Sequence, residues 1–260
     1  MNEAIPIAGV EDFWPRLARA DNPCLALDYD GTLAPFQVER MSAVPLPGVV
    51  ESLEQIRDRR STRLVIVSGR PIGELLQLLG ERRIALLGSH GFERRDERGR
   101  LVHEALDPVR GAALERARQL ALALGLPAQR VERKAASTAV HTRGMPAERA
   151  ARIERQLRQR WEETTEQGLH CRAFNGGVEL RATGVDKGTA LARWLDAQGN
   201  VDLAVYLGDD ETDEDAFRML AGRGQLGIRV GGAGMPTAAR GRLADCRAVR
   251  QFLGDWLEAR

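Results

Sequence analysis

The sequence predicts an α/β fold: an open parallel sheet flanked by helices, with a smaller α/β unit inserted into it. Three observations carry this. Short apolar runs alternate with helical patterns. Polar clusters sit at the ends of those runs. The middle of the chain repeats helix, strand, strand twice.

The apolar runs are Cys24 to Leu27, Leu64 to Val67, Ile84 to Leu87, Leu203 to Leu207 and Leu226 to Val230. Each is short, rich in branched residues and closed by Gly or a polar group, as a strand buried on both faces requires. Open sheets of this kind bind ligands beyond the carboxyl ends of their strands. The stretches DYDG, SGR and GDD fall at such ends, so three distant polar segments are expected to converge. Arginine-rich RDRR, Arg57 to Arg60, reads as a solvated helix end.

The inserted region begins with an amphipathic helix from Pro108 to about Gly125, with Val109, Ala113, Leu120 and Leu124 near one face. Strand-like runs Arg130 to Lys134 and Thr138 to Thr142 follow. Pro146 opens a second helix, to about Thr165, and then come His170 to Phe174 and Val178 to Arg181. The expected division is residues 1–105 and 186–260 for the sheet domain, and 106–185 for the insert. The links near Ala105 and Gly184 are the expected hinges.

At 260 residues and 43% hydrophobic, the chain can bury a sizeable core. Its 38 basic and 37 acidic side chains nearly cancel, which argues against a nucleic-acid surface. Three scattered cysteines, Cys24, Cys171 and Cys246, form no CxxC pair, so a reducing cytoplasm fits better than a disulfide framework. No run of about 18 apolar residues predicts a membrane span. The first residues, MNEAIPIAGVEDFW, lack the basic start and apolar run of a signal peptide. A monomer is expected.

Asp28 and Asp30, one residue apart at a strand end, pose the central chemical question. A turn accounts for Asp30-Gly31 but not for Asp28. One carboxylate can attack phosphorus while the other carries a proton, which a sugar alkoxide needs in order to leave. Asp209 and Asp210 end another strand and call for a cation; Mg²⁺ suits carboxylates, waters and phosphate oxygens. A calcium loop fits less well, because Glu214 stands where Gly is expected. Thr212 can N-cap a helix with Asp215 completing a capping box, which accounts for Asp213 to Asp215 without invoking a ligand. Ser68 and Gly69 can hold phosphate oxygens before a helix start. Lys187 precedes an apparent helix, where a cation opposes the dipole; neutralising phosphate and carboxylates is its better explanation.

In this order, DYDGT, VSGR, a lone lysine and GDDETDED resemble the haloacid dehalogenase-like phosphatases, over the whole chain. GSHGFE, ERK, HTR, GVELR and GVDKGTA narrow the resemblance to the trehalose-6-phosphate phosphatases. It implies a Rossmann-like core with an α/β cap that selects the sugar. It implies further that Asp28 attacks phosphorus and forms an aspartyl-phosphate. Asp30 would protonate the leaving oxygen and then activate water, its side chain free because only its backbone carbonyl meets the metal. Mg²⁺ would be held by Asp28, Asp30 and Asp209, supported from behind by Asp210 and Asp213, with Ser68, Gly69 and Lys187 on the phosphoryl oxygens. Asp30 sets aside dehalogenases, which lack it, and ion-pumping ATPases, which carry Thr. Glu132, Lys134, Arg143 and Glu179 would face the disaccharide, and Gly176-Gly177 would alter one sugar contact where some relatives carry a polar side chain. His90, Glu93 and His141 would position core against cap. The partner is then a small-molecule sugar phosphate. The alternatives are a phosphatase for sucrose 6-phosphate or mannosyl-3-phosphoglycerate, a phosphomutase, or a silent sugar-phosphate-binding module.

Overall fold

A computed structural model describes residues 4–59, 61–162, 168–174, 176–232, 234 and 236–260. The end of RDRR at Arg60 and the expected tail of the second insert helix, 163–165, lie outside the described residues. Contacts divide the chain into two units, Met1–Val102 with Asp186–Arg260, and His103–Val185.

The first unit holds α1 (Phe13–Arg19), β1 (Pro23–Leu27), α2 (Val49–Arg59), β2 (Arg63–Val67), α3 (Ile72–Leu79), β3 (Ala85–Gly88), β4 (Glu93–Arg95) and β5 (Leu101–His103). After the second unit it resumes with α6 (Lys187–Gln198), β10 (Leu203–Gly208), α7 (Glu214–Gly222), β11 (Leu226–Val230), β12 (Gly241–Leu243) and α8 (Cys246–Ala259). The sheet order is β12-β11-β10-β1-β2-β3-β4-β5. From β12 to β3 every pairing is parallel, and β4 turns antiparallel to β3.

Alternation along the buried strands sends side chains to two cores. Leu25, Leu27, Leu64, Ile66, Val205 and Leu207 join one face, packed with Phe13, Leu53, Phe252 and Trp256 from α1, α2 and α8. Cys24, Ala26, Val65, Val67, Ala204 and Tyr206 point the other way, onto Leu191, Trp194, Phe217 and Leu220 of α6 and α7. The five expected strands are all present, and both faces are covered, as an all-apolar strand needs.

The second unit contains α4 (Pro108–Ala123), β6 (Val131–Arg133), β7 (Ser137–His141), α5 (Ala147–Trp161), β8 (Leu169–Phe174) and β9 (Gly177–Ala182). Its sheet, β6-β7-β9-β8, is antiparallel throughout. The expected apolar stripe on α4 is rotated. Val109 is 62% exposed, and the buried line is Ala113, Leu114, Ala117 and Ala121. Val109 sits in the first turn, beside the capping Asp107, whereas the alanines let the helix approach its neighbours closely. There the Trp161 indole donates to the Ala117 carbonyl and the Thr138 hydroxyl to that of Leu114.

Candidate active site

In the first unit, β1 ends at Leu27 and delivers Asp28, whose N–H donates to the Leu207 carbonyl of β10 at 2.8 Å. Asp28 is 3% exposed. The Nζ of Lys187 donates to Asp28 Oδ1 at 2.8 Å and to Asp213 Oδ1 at 2.7 Å, so one buried cation from the start of α6 bridges two carboxylates. Burial works to remove the lysine's charge, yet Asp213 and Asp28 overcome it and hold its pKa above the usual lysine range. Its unfavourable place at a helix start is offset by those same carboxylates.

Asp213 is saturated. Its Oδ1 also accepts from the Tyr206 hydroxyl at 2.5 Å, and its Oδ2 accepts the backbone N–H groups of Asp209 and Asp210 at 2.9 and 2.8 Å. It therefore shapes the loop after β10. The helix cap here differs from the expected one. Asp210, not Thr212, is the cap, and Asp213, not Asp215, reciprocates. The reason is the short 3-10 turn Glu211–Asp213, which starts the helical path two residues earlier than expected and buries Thr212.

Asp209 completes the cluster. Oxygens of Asp28, Asp209 and Asp213 lie within 4.8 Å of one another, a grouping able to hold a metal ion. Asp209 Oδ1 is buried without a hydrogen-bond partner. Burial, then the charges of Asp28, Asp213 and Asp210, pushes its carboxyl well above the carboxylate range. Burial and Asp213 likewise raise Asp28, with Lys187 opposing. Three carboxylates against one lysine, all hard oxygen donors and one of them orphaned, fit a divalent cation. Gly31, at φ 77°, leaves room for this: a Cβ there would lie 2.3 Å from Asp209 Oδ2.

Asp30 departs from expectation. Its side chain is not free, because Arg70 grips both oxygens, Nε to Oδ2 at 2.6 Å and Nη2 to Oδ1 at 2.7 Å. The sequence pattern assigns a task to Ser68-Gly69 and none to Arg70; the third letter of SGR is the available signal. Ser68, buried, accepts the Arg70 N–H on its hydroxyl at 3.1 Å. Gly69 has no room for a side chain, since a Cβ would meet the His90 ring at 2.7 Å. Glu93 is occupied within the core: it accepts the Ile72 N–H at 2.6 Å and the Ser89 hydroxyl at 2.9 Å, closing the first turn of α3.

In the second unit, strand register gathers the other expected residues. Ala139 pairs with Glu132 on one side and Glu179 on the other, so both glutamates share a face. Ser137 and His141 join them by the two-residue repeat. Lys134 Nζ donates to Glu179 at 3.1 Å, the Ser137 hydroxyl donates to the same oxygen at 2.6 Å, and His141 Nε2 lies 3.0 Å from Glu132. Arg143 lies in the turn after β7, its N–H donating to the Gly176 carbonyl at 3.1 Å. A Cβ on Gly176 would meet the Arg143 side chain at 2.8 Å. Thr138 turns to the opposite face, beneath α4.

Among the described residues no helix is long and apolar enough to cross a membrane. A family model described as trehalose-phosphatase matches residues 26–240. A probable trehalose-phosphate phosphatase of Sinorhizobium fredii is 32% identical over 257 residues, covering 94% of this chain and 91% of that protein. A trehalose-phosphate phosphatase of Mycobacterium tuberculosis is 33% identical over 216 residues, 79% of this chain and 53% of that longer protein. The solved C-terminal domain of a Candida albicans trehalose-6-phosphate phosphatase superposes with a TM-score of 0.87 at 21% identity, over 99% of both chains.

Proposed function

The chain belongs to the trehalose-phosphatase family, and from that premise we propose that it hydrolyses trehalose 6-phosphate to trehalose and phosphate through an aspartyl-phosphate on Asp28. The observation that supports this most is the Asp28–Lys187–Asp213 arrangement, a buried nucleophile candidate held by a lysine at the carboxyl end of a parallel sheet.

An Asp28 oxygen attacks phosphorus as the bond to the sugar oxygen breaks. Asp30 gives its proton to the departing alkoxide. Asp30, now a carboxylate, takes a proton from water; that water attacks the aspartyl-phosphate, freeing phosphate and restoring Asp28. Lys187, Ser68 and Gly69 hold the phosphoryl oxygens, and the buried lysine offsets their charge where water cannot. Asp28 and Asp209, with the Asp30 carbonyl, would hold Mg²⁺, while Asp210 and Asp213 fix the loop that carries Asp209. Bound there, the ion supplies charge neutralisation at the phosphoryl group.

The second unit acts as the cap that chooses the sugar. Glu132, Lys134, Arg143 and Glu179 meet the disaccharide hydroxyls. A cytoplasmic monomer acting on this small-molecule substrate completes the reading. Phosphate release from trehalose 6-phosphate, sucrose 6-phosphate and mannosyl-3-phosphoglycerate, with Mg²⁺ and with chelator, tests it. Trehalose 6-phosphate is expected to be turned over fastest, and only with the cation. Faster turnover of either rival would overturn the substrate, and full activity in chelator would overturn the metal.

A further inference from the structure

Arg70 is 5% exposed and spends every guanidinium nitrogen. Two of them face Asp30, at 2.6 and 2.7 Å. Nη2 also donates to the Arg40 carbonyl at 2.9 Å, and Nη1 to Glu74 Oε2 at 3.2 Å. Glu74 is itself gripped by Arg40, at 2.7 and 2.6 Å. The Arg70 guanidinium lies 5.5 Å from the centre of the buried Tyr29 ring, which limits its sideways movement. A planar fork on a carboxylate fixes both the position and the plane of that carboxylate. Asp30 needs such help, because its own side chain is 27% exposed and follows Tyr29 into a turn.

We propose that Arg70 is the positioning residue that aims the Asp30 carboxyl at the leaving oxygen, with Glu74 bracing the guanidinium from behind. This rests on Asp30 being the proton carrier of the proposed reaction. While Asp30 carries its proton, that oxygen is turned out of the fork and Arg70 holds the other oxygen, Glu74 and the Arg40 carbonyl; once the proton has gone to the leaving oxygen, the carboxylate closes on both arms of the fork again. Arg70 does not touch the nucleophile Asp28 in this arrangement, so its loss should register in leaving-group departure alone.

The experiment compares kcat/KM for a primary-alkyl phosphate and for p-nitrophenyl phosphate, in Mg²⁺. This ratio reports the steps through departure of the leaving group. An alkoxide needs a proton to leave; p-nitrophenolate does not. Arg70→Met is expected to lower the alkyl value by about 10–10²-fold and the aryl value by less than about 3-fold. Glu74→Gln should show the same asymmetry at smaller size, and it carries the test if Arg70→Met fails to fold. Equal losses on both substrates, in either folded variant, would overturn the proposal. Asp30→Asn must show the asymmetry too; if it does not, the premise and the proposal fall together. A wild type that cleaves both simple esters and rejects trehalose 6-phosphate removes the substrate reading, while the asymmetry in Arg70→Met still supports Arg70 as the residue that aims Asp30.

Discussion

Two clusters of acids and a lysine stand in this molecule, one in each unit, and they are built on different charge balances. In the first, three acids, Asp28, Asp209 and Asp213, stand together; Lys187 bonds Asp28 and Asp213, and Asp209 Oδ1 is left without a partner. In the second, Glu179 meets Lys134 and Ser137, while Glu132 meets His141, so each acid has a hydrogen-bonded answer. The excess of negative charge in the first suits a cation and a phosphoryl group in transit. The near balance in the second offers paired donors and acceptors, which suits a neutral polyol.

The largest effect that probes this difference is at Asp28. Asp28→Asn should lower turnover by about 10³-fold or more, as loss of a nucleophile does. The same change should raise the melting temperature of the chelated protein, because it removes one charge from an over-negative, buried cluster. A lower melting temperature in chelator would break the contrast. Lys187→Met goes the other way: it strands two buried carboxylates and should cost about 3–5 kcal/mol in urea unfolding of the chelated protein. In the balanced cluster, Glu179→Gln should cost stability by only about 1 kcal/mol, since an amide oxygen can still accept from both Ser137 and Lys134 and only the charge of the pair is lost. A loss as large as that of Lys187→Met would show that the second cluster is no more balanced than the first.

Much of this was legible in the sequence, for a physical reason. Strands buried on both faces must be apolar along their length, so the five central parallel strands stood out, and the polar residues that end them could only be turns or a site. The outer strands β4, β5 and β12 did not stand out. Each is three residues long, and Glu93–Arg95 is largely polar. The α4 stripe was misplaced because alanine carries little apolar signal yet packs closely. The carboxylates and Lys187 were readable because charge at a strand end needs compensation. Arg70 was not, because a lone arginine beside a turn looks like surface. Only its register with Asp30, forty residues away in sequence, gives it a task.

The most direct test of the division of labour between the clusters is one double ratio: kcat/KM on trehalose 6-phosphate and on p-nitrophenyl phosphate, for wild type and Lys134→Ala. If the balanced cluster reads the sugar and the over-negative one does the chemistry, the variant loses about 10–10²-fold on trehalose 6-phosphate and less than about 3-fold on the aryl ester. Equal loss on both substrates, or none on trehalose 6-phosphate, would contradict it.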